Sequence, residues 1–345
     1  MKIYFWKKYR IVNTGSSLSV LNTRTKFWKP FLLMLPSILT ILLLTVIPFI
    51  LVIYTSITPR VGFHANDIKF GIDNYKAIFR DEQFKIAIRN SLVYAILSLP
   101  ISLVISLLIS SAISQVIKKW ARGFWQTVFF LPYVTSAIAV SMAFAYIFKT
   151  QGGMINEILL KLKFISRPIR FLDDTSNGSW NSFWIILIRG IWGSLAFQIL
   201  ILTTAMLSVN QDLYKSASID GASPTKQFFT ITLPAISKTI TFLFTMGIIG
   251  GIKTFPLALF NNSSDNAMQY NGQSLMLYIF HFTKGSNFGR AGASSVVLFV
   301  LGIIISFGLR KIVFTLFRLG NKLGERSVIN RIENSQLTRK ALFKF

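Results

Sequence analysis

The sequence contains no cysteine and only two histidines, His64 and His281. Disulfides and thiolate-bound metals are therefore excluded, and two imidazoles so far apart in sequence make no metal-ligand pattern. Acidic residues are also scarce, with 12 Asp+Glu against 37 Lys+Arg in 345 residues. No pair of carboxylates and no nucleophile–base set has the spacing that catalysis requires, so the chain does not read as an enzyme in its own right. Charged residues make up only 14% of the total, where a soluble protein carries about a quarter. Hydrophobic residues take their place, at 52% of the chain and a mean hydropathy of +0.55.

A bilayer core about 30 Å thick requires about 20 apolar residues per helix. Six stretches qualify: 31–56, 91–117, 124–148, 184–207, 239–260 and 291–309. They predict an all-α membrane protein with six transmembrane helices. Pro36, Pro48, Pro100, Pro132 and Pro256 lie within these stretches, where bundled membrane helices tolerate them. The first stretch follows basic and polar sequence and has no small-residue cleavage site after it, which predicts a retained anchor.

The net charge of +25 raises nucleic acid as a partner, but the placement of the charge points elsewhere. The segment 1–30, the loops 118–123 and 208–238, and the residues from 310 onward together carry 22 Lys and Arg against four acids. The alternate loops, 57–90, 149–183 and 261–290, carry 13 against eight. The positive-inside rule then predicts a multi-pass cell-membrane protein with both termini cytoplasmic. Anionic membrane lipid is the partner of the excess charge, and no nucleic acid is expected because no basic stretch has the aromatic interleaving that binding needs. All twelve acids fall outside the six stretches, which argues against proton coupling.

Three segments invite closer reading. Residues 74–90, "NYKAIFRDEQFKIAIRN", place apolar residues among charges at helical spacing and predict an amphipathic helix lying on the outer surface. Residues 165–183 form a polar loop. "GIIGGIKT" (247–254) approaches a phosphate-binding loop, but Ile252 occupies the second glycine position and the segment lies inside a span. Close helix packing through Gly247 and Gly251 is the better reading. ATP must then be hydrolysed elsewhere, since no other phosphate loop is present.

The polar interruption "YKSASIDGASPTKQFFTITLP" (214–234) separates the fourth and fifth stretches. Residues 212–219 have helical composition, and Gly221 stands where a left-handed residue would end that helix. Ser223 can cap a second helix with Pro224 in its first position, and Phe228, Phe229, Ile231 and Leu233 place apolar bulk on it. The prediction is an L-shaped knob with one apolar face, shaped to dock in the cleft of a cytosolic partner.

This segment resembles the EAA loop of ABC-importer permeases. Lys215-Ser216-Ala217 stands at E-A-A, followed by Asp220-Gly221-Ala222, Phe228 and Ile231-Thr232-Leu233-Pro234. Residues 71–95, 129–148 and 274–298 resemble the sugar and glycerol-phosphate branch of the same family. The resemblance implies a six-helix permease domain over 31–317 with its EAA loop at 208–238, between basic cytoplasmic segments at 1–30 and 318–345. It also implies the partners: a second homologous permease, a cytoplasmic ABC ATPase dimer and an extracytoplasmic solute-binding protein. ATP and Mg²⁺ would be held by the ATPase and no cofactor by this chain. Tyr214, Lys215, Ala217, Asp220, Gly221, Ala222, Phe228, Leu233 and Pro234 would then carry the coupling. Lys215 and Ser216 depart from the Glu and Ala of the pattern.

Two cations, Arg189 and Lys253, fall inside apolar stretches, where charge is costly. Either they snorkel to the headgroups or they line an outward cavity, with Trp192, Phe255 and Asn261 sharing its wall. The resemblance implies a carbohydrate as solute. The two cations motivate glycerol 3-phosphate or another anionic polyol phosphate as the alternative, and an ion channel or ion-coupled transporter is the alternative from a different class.

Overall fold

The computed structural model describes residues 9–10, 25–26, 28–58 and 70–333. Tyr9–Arg10 (β1) and Thr25–Lys26 (β2) pair as one short antiparallel ladder, a small departure from the all-α expectation. The regular elements that follow are helical.

The first span is built from α1 (Trp28–Ile41), a π turn over Leu42–Val46 and α2 (Ile47–Ser56). The π turn leads into Pro48, which has no N–H to donate and whose ring crowds the carbonyl four residues back. An extra residue in the turn relieves both problems. The same solution recurs at Pro234, where a π turn over Phe228–Thr232 joins α10 (Pro224–Gln227) to α11 (Leu233–Ala235).

The amphipathic surface helix expected at 74–90 is instead two helices. Asp81 ends α3 (Asp73–Arg80) and caps α4 (Glu82–Ser114), its carboxylate accepting from the Gln83 backbone N–H at 2.9 Å. The second half of the segment is therefore the first part of a 33-residue helix that continues through the second span. Its apolar face is not laid on a membrane surface. Ile78, Phe84 and Ala87 are fully buried against Leu275, Tyr278 and Ala293. The Tyr278 hydroxyl donates to Asp81 Oδ2 at 2.7 Å, and burial together with that carboxylate pushes the phenol's ionisation upward, keeping it a neutral donor.

The third stretch is also not one straight helix. α5 (Lys119–Val134) and α6 (Ala137–Ile147) meet at 90° across Thr135 and Ser136. Thr135 Oγ1 donates to the Pro132 carbonyl and Ser136 Oγ accepts from the Ala139 N–H, so side chains serve backbone groups released by the bend. The remaining elements are α7 (Met154–Lys161), α8 (Asn181–Leu207), α9 (Gln211–Ile219), α12 (Ser237–Ile252), a 3₁₀ turn over Leu257–Phe260, α13 (Ser264–Gln269), α14 (Leu275–Lys284) and α15 (Phe288–Glu333). Five segments are long and apolar enough to cross a bilayer, and the bent pair makes a sixth if counted as one span. The last helix runs on unbroken across position 317, where the sequence suggested a boundary.

The centre of the bundle is α4 against α8. Ser98, Ser102, Ser106 and Ser110 recur at every fourth position of α4, so they form one buried ridge. Small side chains let the two backbones approach closely, as membrane helices without a hydrophobic driving force require. Gln198 on α8 completes the seam, donating to Ser102 Oγ at 3.1 Å and accepting from Ser106 Oγ at 2.9 Å. The Ser110 hydroxyl donates to the Ile199 carbonyl. Packed on this pair is α12, with Gly247 against Leu99 and Gly251 against Ala95, the close approach expected of those glycines.

At the end of the bundle where α4 and α8 begin, buried amides hold the connecting segments. Asn90 Nδ2 donates to the carbonyls of Asn271 and Gln273 at 2.8 and 2.9 Å. Asn156, equally buried, donates to the carbonyls of Lys149, Thr150 and Ile169. Asn90→Leu is expected to keep the volume but leave two buried carbonyls without a donor, at about 1–3 kcal/mol each. A thermal-unfolding midpoint of the detergent-purified protein that falls by several degrees is the expected result, and an unchanged midpoint would mean that water or another donor serves those carbonyls.

A docking corner and a divided set of pathway candidates

The segment 208–238 folds as a helix, a corner and a second helix. Asn210 caps α9, its side chain accepting from the Asp212 N–H at 3.0 Å. At the other end the Gly221 N–H bonds to the Ser218 carbonyl and the Ala222 N–H reaches back to the Ala217 carbonyl at 2.9 Å. This pair of bonds is a Schellman motif, and it requires the left-handed conformation that Gly221 adopts at φ +73°. Ser223 then caps α10, accepting from the Lys226 N–H, with Pro224 in its first turn.

Side chains brace the corner. The Gln227 amide donates to both Ser218 Oγ and the Ala222 carbonyl. The hydroxyls of Tyr214 and Thr232 meet at 2.8 Å, linking the two arms. The apolar bulk faces inward more than the sequence suggested: Tyr214, Phe228, Ile231 and Leu233 pack onto the core shared by α4, α8 and α12. What projects outward is a smaller apolar set, Ile219 at 87% exposed, Phe229 at 60% and Leu213 at 52%. Asp220, Gly221 and Pro234 are exposed as well, while Ala217 and Ala222 are half-buried. Lys215 is exposed and pairs with Asp212 one turn earlier at 3.0 Å. A rigid, externally apolar corner keyed into the bundle core can carry force between a docked body and the spans.

The five pathway candidates do not share one wall. Arg189 Nη2 donates to the Ala137 carbonyl at 2.9 Å, beside the bend between α5 and α6, while its Nε is buried with no partner among the described residues. Trp192 packs on Phe144 of α6. Lys253 follows the last residue of α12, at an apolar groove bordered by Leu298, Phe299 and Ile303 of α15. Phe255 packs edge-on against Phe280 of α14. Asn261 borders a separate cavity with Tyr146 and Tyr270. The aromatic and cationic residue types were legible in sequence, but their grouping depended on helix rotations that sequence spacing does not give. The serine ridge with Gln198 and the buried amide clasps were missed, although the four-residue repeat of serines was a visible signal.

A bundle of apolar spans carrying an exposed, internally braced corner defines a transport subunit of the membrane rather than an enzyme. Residues 107–318 match the family model for the binding-protein-dependent transport system inner membrane component. The chain is 46% identical, over 85% of its length and 88% of the other's, to a probable ABC transporter permease protein of Mycoplasma genitalium. It is 27% identical, over 80% and 86%, to an arabinooligosaccharides transport system permease protein of Bacillus subtilis. The solved structure of a bacterial ABC transporter involved in the import of the acidic polysaccharide alginate shares the fold, with a TM-score of 0.67 and 23% identity over 87% of this chain and 96% of that one. The chain belongs to the binding-protein-dependent transport system inner membrane component family, and it is a multi-pass permease subunit of the ABC importer type.

Proposed function

We propose that this permease moves a carbohydrate, received from an extracytoplasmic solute-binding protein, through a pore built with a second homologous permease. The single observation that carries the coupling half of this reading is the Gly221 corner, whose exposed tip is free to dock while its inner face is locked onto α4, α8 and α12. A cytoplasmic ATPase dimer, holding ATP and Mg²⁺, drives the corner, and both chain termini lie on its side of the membrane. The carbohydrate assignment draws support from the arabinooligosaccharide relative. The anionic alternative rests on Arg189 and Lys253, and one nitrogen of the Arg189 guanidinium already donates to the Ala137 carbonyl.

Isolation of the intact complex from its native membrane tests the reading. An ATPase is expected to accompany the chain, and uptake is expected to stop on ATP depletion. Recovery of the chain alone, with transport surviving ATP depletion, would favour a channel or ion-coupled carrier.

Lys215 supplies a finer test. Its exposed pair with Asp212 contributes about 0–1 kcal/mol, so Lys215→Ala is expected to alter folding and uptake little. Lys215→Glu sets a second carboxylate beside Asp212 and is expected to uncouple ATP hydrolysis from uptake by repelling an acidic partner cleft. Normal coupling in that variant would show that the corner docks by its apolar tip alone.

A further inference from the structure

A cavity of about 340 Å³ opens beside the end of α6, between the 149–173 segment and α13, within the size range of small-molecule sites. Leu259 and Phe260 of the core stand at its base, and of the five pathway candidates only Asn261 lines it. Its lining combines three aromatic residues, Tyr146, Phe260 and Tyr270, with two amides, Asn261 and Asn266, and one charge of each sign, Lys149 and Asp173. We propose that this cavity is a binding site for a small neutral saccharide at the mouth of the permease. The proposal rests on the carbohydrate reading and orientation given above and narrows them to an uncharged sugar.

The chemistry of the lining carries the inference. A sugar presents hydroxyls that both donate and accept, together with C–H faces that are apolar. A carboxamide offers a donor and an acceptor in one group, and an aromatic ring covers the apolar face while its hydroxyl adds a polar handle. The side-chain amides of Asn261 and Asn266 take no hydrogen-bond partner among the described residues, so both remain available to a ligand. Lys149 and Asp173 offset one another, and the Asp173 carboxylate is already engaged by the Thr150 hydroxyl. A lining without net charge favours an uncharged ligand over a phosphate or uronate.

The cavity is also held rigidly. Asn261 sits at φ +53°, directly after buried Leu259 and Phe260. Ser263 caps α13 by accepting from the Asn266 N–H, and the Tyr270 carbonyl accepts from Ser182 Oγ of α8 at 2.7 Å. Asn156 fixes the Lys149–Thr150 turn through both carbonyls. A lining whose backbone is set before binding loses less entropy on occupancy.

The test uses the purified complete transporter and three neutral probes, maltotriose, arabinotriose and raffinose, with trigalacturonate as the acidic counterpart. Binding is read by saturation-transfer NMR and calorimetry, and ATP-driven uptake is read separately in proteoliposomes. Asn261→Gly removes the amide while keeping the left-handed backbone, and Asn266→Ala removes the other. At least one neutral probe is expected to bind, and each variant is expected to weaken it about tenfold, the effect of one or two lost hydrogen bonds, with thermal stability unchanged. Failure of all neutral probes to bind, equal binding by trigalacturonate, or equal affinity in wild type and both variants would each overturn the proposal. ATP-driven uptake that persists alongside such a result would leave the permease reading intact. Saccharide binding without any ATP-driven uptake would instead overturn that reading and leave the cavity assignment standing.

Discussion

Gly221→Val is expected to yield a complex that inserts and assembles normally yet retains little ATP-driven uptake. A Cβ at this position meets nothing within 4 Å, so no clash with a neighbour is involved. The cost lies in the backbone, because φ +73° is a conformation that a β-branched residue adopts only at about 1–3 kcal/mol. Relaxing that strain means surrendering the Ser218 and Ala217 bonds that close α9, and the direction of the corner with them. The spans lie outside the strained turn and keep their packing. Gly221→Asn serves as the control, since Asn tolerates the left-handed region and should restore most of the uptake. Uptake measured beside complex recovery decides the matter, and a Val variant that transports normally would remove the corner from the coupling route.

The second large effect is expected inside the membrane. Gly247→Leu drives a side chain into that of Leu99 at the crossing of α12 and α4. Overpacking of this kind costs about 1–3 kcal/mol and displaces the whole of α12 from the core it shares with α8. The expected outcome is a sharp fall in the yield of folded complex and in its thermal midpoint. Gly250→Leu, three residues along the same helix, faces open space and should leave both unchanged. Similar losses in the two variants would point to a general intolerance of bulk in α12 rather than to the crossing.

Much of this architecture is legible in local sequence, because the bilayer and the helix terminus impose strict local rules. Apolar length marks the spans, and Gly221, Ser223 and Pro224 mark the corner before any tertiary contact is considered. The 90° bend at Thr135 and Ser136 escaped because hydropathy averaged over a window has no direction. A capping serine four residues after Pro132 was the available signal. The segment 74–90 read as one surface helix because its apolar positions fit a helical period. The break depends on one hydrogen bond from the Gln83 N–H to Asp81, and the burial of Ile78 and Phe84 depends on residues almost 200 positions away. The five pathway candidates were chosen by type, and Arg189 shows the limit of that choice. A cation in an apolar stretch answers to whichever carbonyl comes within reach, here that of the first residue of α6.

The serines of α4 have a further property, which follows from their even spacing. Four residues of helix rise about 6 Å, so the face that α4 turns to Gln198 repeats itself like the marks on a rule. Gln198 occupies the interval between the second and third marks, Ser102 and Ser106, with Ser98 and Ser110 one mark beyond on either side. Both ends of the Gln198 amide are met within this interval, so neither is left alone in hydrocarbon. The register of α8 on α4 is therefore marked by side-chain bonds at Ser102, Ser106 and Ser110. Only three residues connect α8 to α9, so a pull on the corner falls almost directly on the helix that carries Gln198.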